Sequence, residues 1–224
     1  MIGDGPLTDT GLEDGVQALA ELLQAAAYGR FPPPDGTLAV TSAPSPYRAA
    51  VIAFTAHTIV AADLPSDEIR ACLPAGDLGA PMRPPFLTWL GQRLGVHPGM
   101  VDVTLAHVGG IAGGAPLVRH TGLASHPRVA RAHRHRQHVV VYTDRQEHGL
   151  VTLGRGLVGR LELSLELVPT ARGAGLGRAM IAAARALMPA DEPVFAQVAP
   201  GNAQSLRAFL AAGFRPIGAE VLFP

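Results

Sequence analysis

The chain has 224 residues, 48% of them apolar and 16% charged, with 18 basic against 18 acidic side chains and a single cysteine. That length supports one large domain or two small ones with a real core, and it excludes disorder as the main state. A formal net charge of zero leaves no whole-molecule field to draw the protein to nucleic acid or an anionic membrane, and Cys72 alone excludes a disulfide framework or a cysteine metal cage.

Every basic side chain is arginine, which removes lysine Schiff bases, phosphate-loop lysines and Ser-Lys dyads from consideration. The first residues carry Asp4, Asp9, Glu13 and Asp14 and do not read as a secretory signal. The longest apolar run, Ala49 to Ala62, is interrupted by Thr55, His57 and Thr58 and falls short of the ~20 residues that span a bilayer. A reducing cytoplasm is the expected location, with no membrane partner.

In chain order, Thr8 to Tyr28 reads as a helix: Leu12, Val16, Leu19, Leu22, Leu23 and Ala26 form one apolar stripe, with Thr10 as its expected N-cap. Pro32 to Gly36 break the chain, and Thr37 to Val40 and Tyr47 to Asp63 are rich in β-branched residues and read as strands. Short helices are expected over Ser66 to Cys72 and Pro84 to Leu94, the second with prolines in its first turn, followed by a strand over Met100 to His107. The glycine-rich segment Gly109 to Pro116 marks the expected domain boundary, so that residues 1–114 form an α/β domain of unknown role and residues 115–224 a second domain. There a strand at Leu117 to Thr121 and a basic helix over His126 to Arg136 precede three strands, His138 to Asp144, Gly149 to Leu157 and Arg160 to Val168, expected to form an antiparallel meander. A glycine-rich turn then leads into a helix over Arg178 to Met188, a strand over Pro193 to Val198, a helix over Asn202 to Ala212 and a last strand over Phe214 to Phe223.

The informative stretch is Arg172-Gly173-Ala174-Gly175-Leu176-Gly177, between a strand and a helix. Glycines there let successive backbone N–H groups converge without obstruction, and the helix N-terminus adds its positive dipole end, an arrangement suited to phosphate. A tight strand-to-helix turn also needs glycine for packing alone. The pattern is neither a Rossmann fingerprint nor a Walker loop.

Residues Leu161 to Phe223 resemble the GNAT superfamily of acyl-CoA-dependent N-acyltransferases. The resemblance rests on the R-x-x-G-x-G loop at Arg172 to Gly177, Pro169 three residues before it, the preceding apolar strand, and a second signature in which Asn202 opens a helix that runs through Phe209 and closes on Gly213-Phe214. It implies a mixed, mostly antiparallel sheet flanked by helices, preceded by the smaller N-terminal α/β domain, and an N-acetyltransferase using acetyl-CoA as co-substrate. It implies that Gly173, Ala174, Gly175, Leu176 and Gly177, with Arg172 and Arg178 at either end, bind the pyrophosphate, and that Leu167 and Val168 pair with the pantetheine arm as an added strand would. Asn202 either contacts that arm or simply caps its helix.

The implied reaction is direct attack of a neutral amine on the thioester, with a small-molecule or peptide amine as acceptor. The N–H of Val168 is the expected oxyanion donor. Glu162 and Glu166 alternate with Leu161, Leu163, Leu165 and Leu167, so both lie on one strand face and are the candidate proton acceptors, beside the reading that this face is merely solvated. Glu162 stands one residue from the family's usual glutamate, and a bulge is needed to align it. The departure from pattern is Phe209, where many members carry a tyrosine that protonates the thiolate. That departure keeps a second reading open, a catalytically weak acyl-CoA-binding or assembly module.

Arg128, Arg131, Arg134 and Arg136 with His133, His135 and His138 make the other conspicuous cluster, read as a solvated face or as a site for an acidic substrate, the coenzyme's 3′-phosphate or RNA. No metal site is expected from it, and nucleic acid is not the expected partner. The chain is one strand short of the family's usual seven, so the N-terminal half or a partner, such as a second copy in a homodimer, is expected to cover that edge.

Overall fold

The computed structural model describes residues 9–109 and 116–224, which fall into two compact units: 1–26, 30–100 and 220–224 in the first, and 27–29 and 101–219 in the second. The boundary expected between residues 114 and 115 lies outside the described residues.

In the first unit, α1 (Asp9–Ala27) begins ahead of Thr10, which is therefore inside the helix rather than its cap. The apolar run folds as a hairpin, β2 (Ala49–Phe54) with β3 (His57–Ala62), turning at Ala56, whose φ is 49°. β1 (Leu38–Thr41) lies parallel to β3 on one side, and the order runs β1-β3-β2 and then the final strand, β10 (Arg215–Phe223). Helices α2 (Ser66–Ala71) and α3 (Pro84–Leu94) cover this sheet. Ile69, Phe86, Leu87 and Leu90 bury themselves against Val51, Val60, Val221 and Phe223. α3 starts on two prolines, which lack the N–H that a first turn leaves unbonded anyway, and ends on Gly95 in the left-handed region.

In the second unit, β4 (Asp102–His107), β5 (Val118–Arg119), α4 (Pro127–His135), β6 (Gln137–Thr143), β7 (Gly149–Arg155), β8 (Leu161–Leu167), α5 (Leu176–Arg185), β9 (Val194–Val198) and α6 (Ala203–Ala211) follow in order. The strand order is β10-β4-β9-β8-β7-β6-β5. β6, β7 and β8 form the expected meander, β9 runs parallel to β8, and β4 is antiparallel to β9 along its whole length. This is the expected mixed, mostly antiparallel sheet flanked by helices. β4 lies between β9 and β10, a place that sequence order hides, because β4 precedes every other strand of this unit.

Alternation on β8 sorts the two faces. Leu161, Leu163, Leu165 and Leu167 pack with Met180 and Ile181 of α5 and Phe209 of α6, whereas Val141 of β6 and Leu150 of β7 pack against Val129 of α4 on the face that carries Glu162, Ser164 and Glu166. Gly177 lets α5 approach closely: a Cβ there would stand 3.2 Å from Leu165. No described helix is long and apolar enough to cross a membrane.

Candidate functional site

β8 and β9 pair only at Leu161↔Val194 and Glu162↔Phe195, then part, while β8 stays bonded to β7 through Leu167. The N–H of Val168 donates to the His148 carbonyl on the β7 side at 2.8 Å. Main-chain groups of alternate residues point to opposite edges of a strand, so those of Leu163, Leu165 and Leu167 face the gap where β9 has left. This corrects the expected oxyanion donor: the Val168 N–H is already committed, and the free donors are Leu165 and Leu167. The Leu167 carbonyl accepts from Nε and Nη2 of Arg172, at 3.2 and 3.1 Å, which ties the first residue of the glycine loop to the end of the open edge.

The loop follows directly. Pro169–Ala171 makes one 3-10 turn, and Gly173 and Gly175 each hold φ of +84° with open space where a side chain would be. Only glycine adopts that backbone without strain. Gly175 caps α5, and the first bond into that helix runs from the Ala179 N–H to the Gly175 carbonyl. The amides from Gly173 to Arg178 have no acceptor among the described residues, and residues 172 to 175 are exposed. A run of unsatisfied N–H groups at a helix N-terminus is an anion cradle, and here it opens onto the gap beside β8.

The two glutamates have different surroundings. Glu162 is 1% exposed. Its Oε1 accepts from Arg160 Nε at 2.8 Å, Gln197 Nε2 at 2.7 Å and the Leu157 N–H at 3.3 Å, and its Oε2 from Arg136 Nε at 2.8 Å. Gly156 makes room, since a Cβ there would overlap the carboxylate. Burial pushes the Glu162 carboxyl up, but the Arg160 and Arg136 guanidiniums and the hydrogen bonds from Arg160 and Gln197 outweigh it and hold it below the usual glutamate range. Four donors thus converge on the carboxylate, three on Oε1 and one on Oε2. Arg136 also reaches Thr152 Oγ1 at 3.2 Å, which lies 2.6 Å from Ser164 Oγ across the β7–β8 pair. Sequence alternation finds Glu162 but not Arg136, Arg160 or Gln197, which come from a helix end, a turn and a different strand.

Glu166 lies on the same face, beyond the point where β9 departs. Its side chain is 39% exposed and holds one partner, Arg128 Nε at 2.9 Å on Oε2, so most of its acceptor capacity is open. Leu165, whose N–H faces the gap, sits between Ser164 and Glu166. Asn202 caps α6, its Oδ1 accepting from the Ser205 N–H at 3.1 Å, which leaves its amide NH2 unused by the cap. Phe209 is 3% exposed and packs edge-on against Phe214, inside the apolar face rather than in the gap. Of the remaining histidines, His120 lies 3.6 Å from Glu147, and His148 3.9 Å from Asp144.

These features define a strand-edge and anion-loop site on a mixed, mostly antiparallel sheet. Three solved structures are similar to the chain: a protein assigned as a GNAT-family acetyltransferase from Novosphingobium aromaticivorans (18% identity, TM-score 0.41, 58% of this chain and 66% of that one), an acetyltransferase of the GNAT family from Colwellia psychrerythraea (10%, 0.38, 62% of each chain), and a GCN5-related N-acetyltransferase from Kribbella flavida (13%, 0.41, 61% and 63%). The chain thus spans less than two thirds of the length of each. No protein-family model matches the chain, and no curated protein matches it.

Proposed function

We propose that this protein is an N-acyltransferase that moves an acetyl group from acetyl-CoA directly to an amine in the cytoplasm. The observation that carries the reading is the parting of β8 from β9 after Glu162, which opens a strand edge leading into the unsatisfied amides of the Gly173 to Arg178 loop. An extended, amide-bearing arm ending in a diphosphate fits that pair of features: the arm completes the edge along Leu165 and Leu167, and the diphosphate takes the loop amides. Arg172, Gly173, Ala174, Gly175, Leu176, Gly177 and Arg178 form the phosphate end, Leu167 and Val168 line the arm, and the Asn202 amide reaches toward it.

In this arrangement the N–H of Leu165 stabilises the oxygen that becomes negative as the amine attacks, while that of Leu167, about 6.6 Å along the strand and nearer the loop, pairs with the arm. Glu166, half-exposed and with acceptor positions free, takes the amine's proton. Glu162 holds Arg136 and Arg160 in place and does not serve as the base, because it is buried and the two guanidiniums lower its affinity for a proton. The thiolate departs without help from Phe209. The buried ring supports a second reading, a catalytically weak acyl-CoA-binding module, and single-turnover acyl transfer against a panel of amines separates the two.

The binding half of the reading is tested by thermal unfolding with acetyl-CoA. Ligand at about 100 times its dissociation constant adds about 2.7 kcal/mol, a rise of roughly 5 to 10 °C for a chain this size. Absence of any shift at millimolar acetyl-CoA refutes it.

A further inference from the structure

The chain is neutral overall, but residues 103 to 143 contain no Asp or Glu and five arginines, Arg119, Arg128, Arg131, Arg134 and Arg136. Three of these lie on α4, which packs over the face that carries Glu162, Ser164 and Glu166. Positions 128, 131 and 135 follow the i, i+3, i+7 spacing that shares one helix flank, beside the buried stripe of Val129 and Ala132. The two ends of that flank are anchored over β8. Arg128 holds Glu166 at one end. At the other, Arg136 holds Glu162, and His135 senses the same carboxylate: burial and then Arg131, Arg134 and Arg136 push the imidazole down, while Glu162 opposes them.

The flank therefore runs antiparallel to β8. Seven helical residues rise about 10 Å and four strand residues about 13 Å, so Arg131 falls near the middle, level with Ser164 and the open edge at Leu165. It differs from its neighbours in one respect. Arg128 and Arg136 are neutralised by the two glutamates, whereas Arg131 is exposed and has no hydrogen bond or ion pair among the described residues.

We propose that Arg131 selects the acceptor, which is an amine bearing its own carboxylate or phosphate group, the anion pairing with the Arg131 guanidinium while the amine reaches the thioester at Leu165. The proposal rests on the acyl-transfer reading and goes beyond it in naming the substrate class. An unpaired guanidinium at the centre of the face repels a simple polyamine, and a planar fork of N–H donors matches carboxylate and phosphate alike. Arg134 stands about 60° further round α4 than Arg131 and further from the buried Val129 and Ala132 stripe, which makes it the neighbouring control.

The test compares kcat/KM for acceptors that differ only in the anion: 4-aminobutyrate against butylamine for a carboxylate, phosphoethanolamine against ethanolamine for a phosphate, and putrescine as the cationic arm. The expected result is an advantage on the order of 10-fold or more for one anionic member over its neutral partner, equivalent to one charge-assisted contact, shrinking at high salt. Arg131→Gln abolishes that advantage and Arg134→Gln keeps it. If neither 4-aminobutyrate nor phosphoethanolamine is turned over better than its neutral partner, or if putrescine is turned over as well as the better of them, the proposal is overturned, as it is by an advantage that survives Arg131→Gln. If acetyl-CoA binds but no amine is acetylated, or if acetyl-CoA does not bind at all, calorimetric titration of 4-aminobutyrate and inorganic phosphate decides the anion site by itself. Binding that Arg131→Gln removes supports it, and no binding to the unmodified protein overturns it.

Discussion

The two ends of β8 carry the same side chain on the same face and give it opposite surroundings. At the closed end, where β9 is still paired, Glu162 is enclosed by two guanidiniums, an amide and a backbone N–H. Four residues on, where β9 has parted, Glu166 keeps one arginine and half its surface. A carboxylate surrounded by donors is a structural anion, and one with acceptor positions open to a cleft can take a proton. What separates them is the width of the gap beside the strand and the residues that other elements bring to it.

That comparison is broken most directly at the open end. Glu166→Gln is expected to slow acyl transfer by about 10² to 10⁴ while moving the unfolding midpoint little, since a half-exposed ion pair contributes at most about 1 kcal/mol. An unchanged transfer rate removes Glu166 from the reaction. At the closed end the expectation is reversed. Glu162→Gln leaves Arg136 and Arg160 buried without their counter-charge and costs about 3–5 kcal/mol of stability, measurable by urea unfolding, with acetyl-CoA affinity retained in whatever fraction folds.

Acid sharpens the same contrast. The folded-state acidity of Glu162 is lowered, so its contribution is fully present above the ordinary glutamate value and is lost as pH falls through the lower, folded one. The unmodified protein should therefore lose stability steeply below about pH 4.3, and Glu162→Gln should show a shallower acid slope. Equal slopes count against the buried anion.

Smaller effects follow at the loop and its neighbour. Gly175→Val is expected to cost about 1–2 kcal/mol in the ligand-free protein, because valine does not accept φ of +84°, and to block the phosphate end as well. Ala174→Asp separates the two effects: it leaves the apo midpoint within about 0.5 kcal/mol, and its negative charge cancels the acetyl-CoA shift. Asn202→Ala is expected to cost about 1 kcal/mol through loss of the α6 cap. Any fall in acetyl-CoA affinity beyond what the stability change explains reports contact of its amide with the arm.

The sequence by itself determined the order and kind of nearly every element in the second unit, the alternation that places Glu162 and Glu166 on one face of β8, and the position of the glycine loop. These are local properties: period-2 and period-3.6 patterning, and left-handed backbone that glycine alone adopts easily, at Gly173 and Gly175. What only the tertiary structure decided depends on residues far apart in the chain. β4 comes from ahead of the resembling segment to lie between β9 and β10. The Val168 N–H is spent on His148, a partner that no local pattern reveals. Arg136 from the end of α4, Arg160 from a turn and Gln197 from β9 converge on Glu162 and enclose its carboxylate, while the departure of β9 leaves Glu166 open. Hydrogen-bond partners and burial are set by which strands meet and where they part, and a one-dimensional pattern carries the faces of a strand but not the neighbours across its edge.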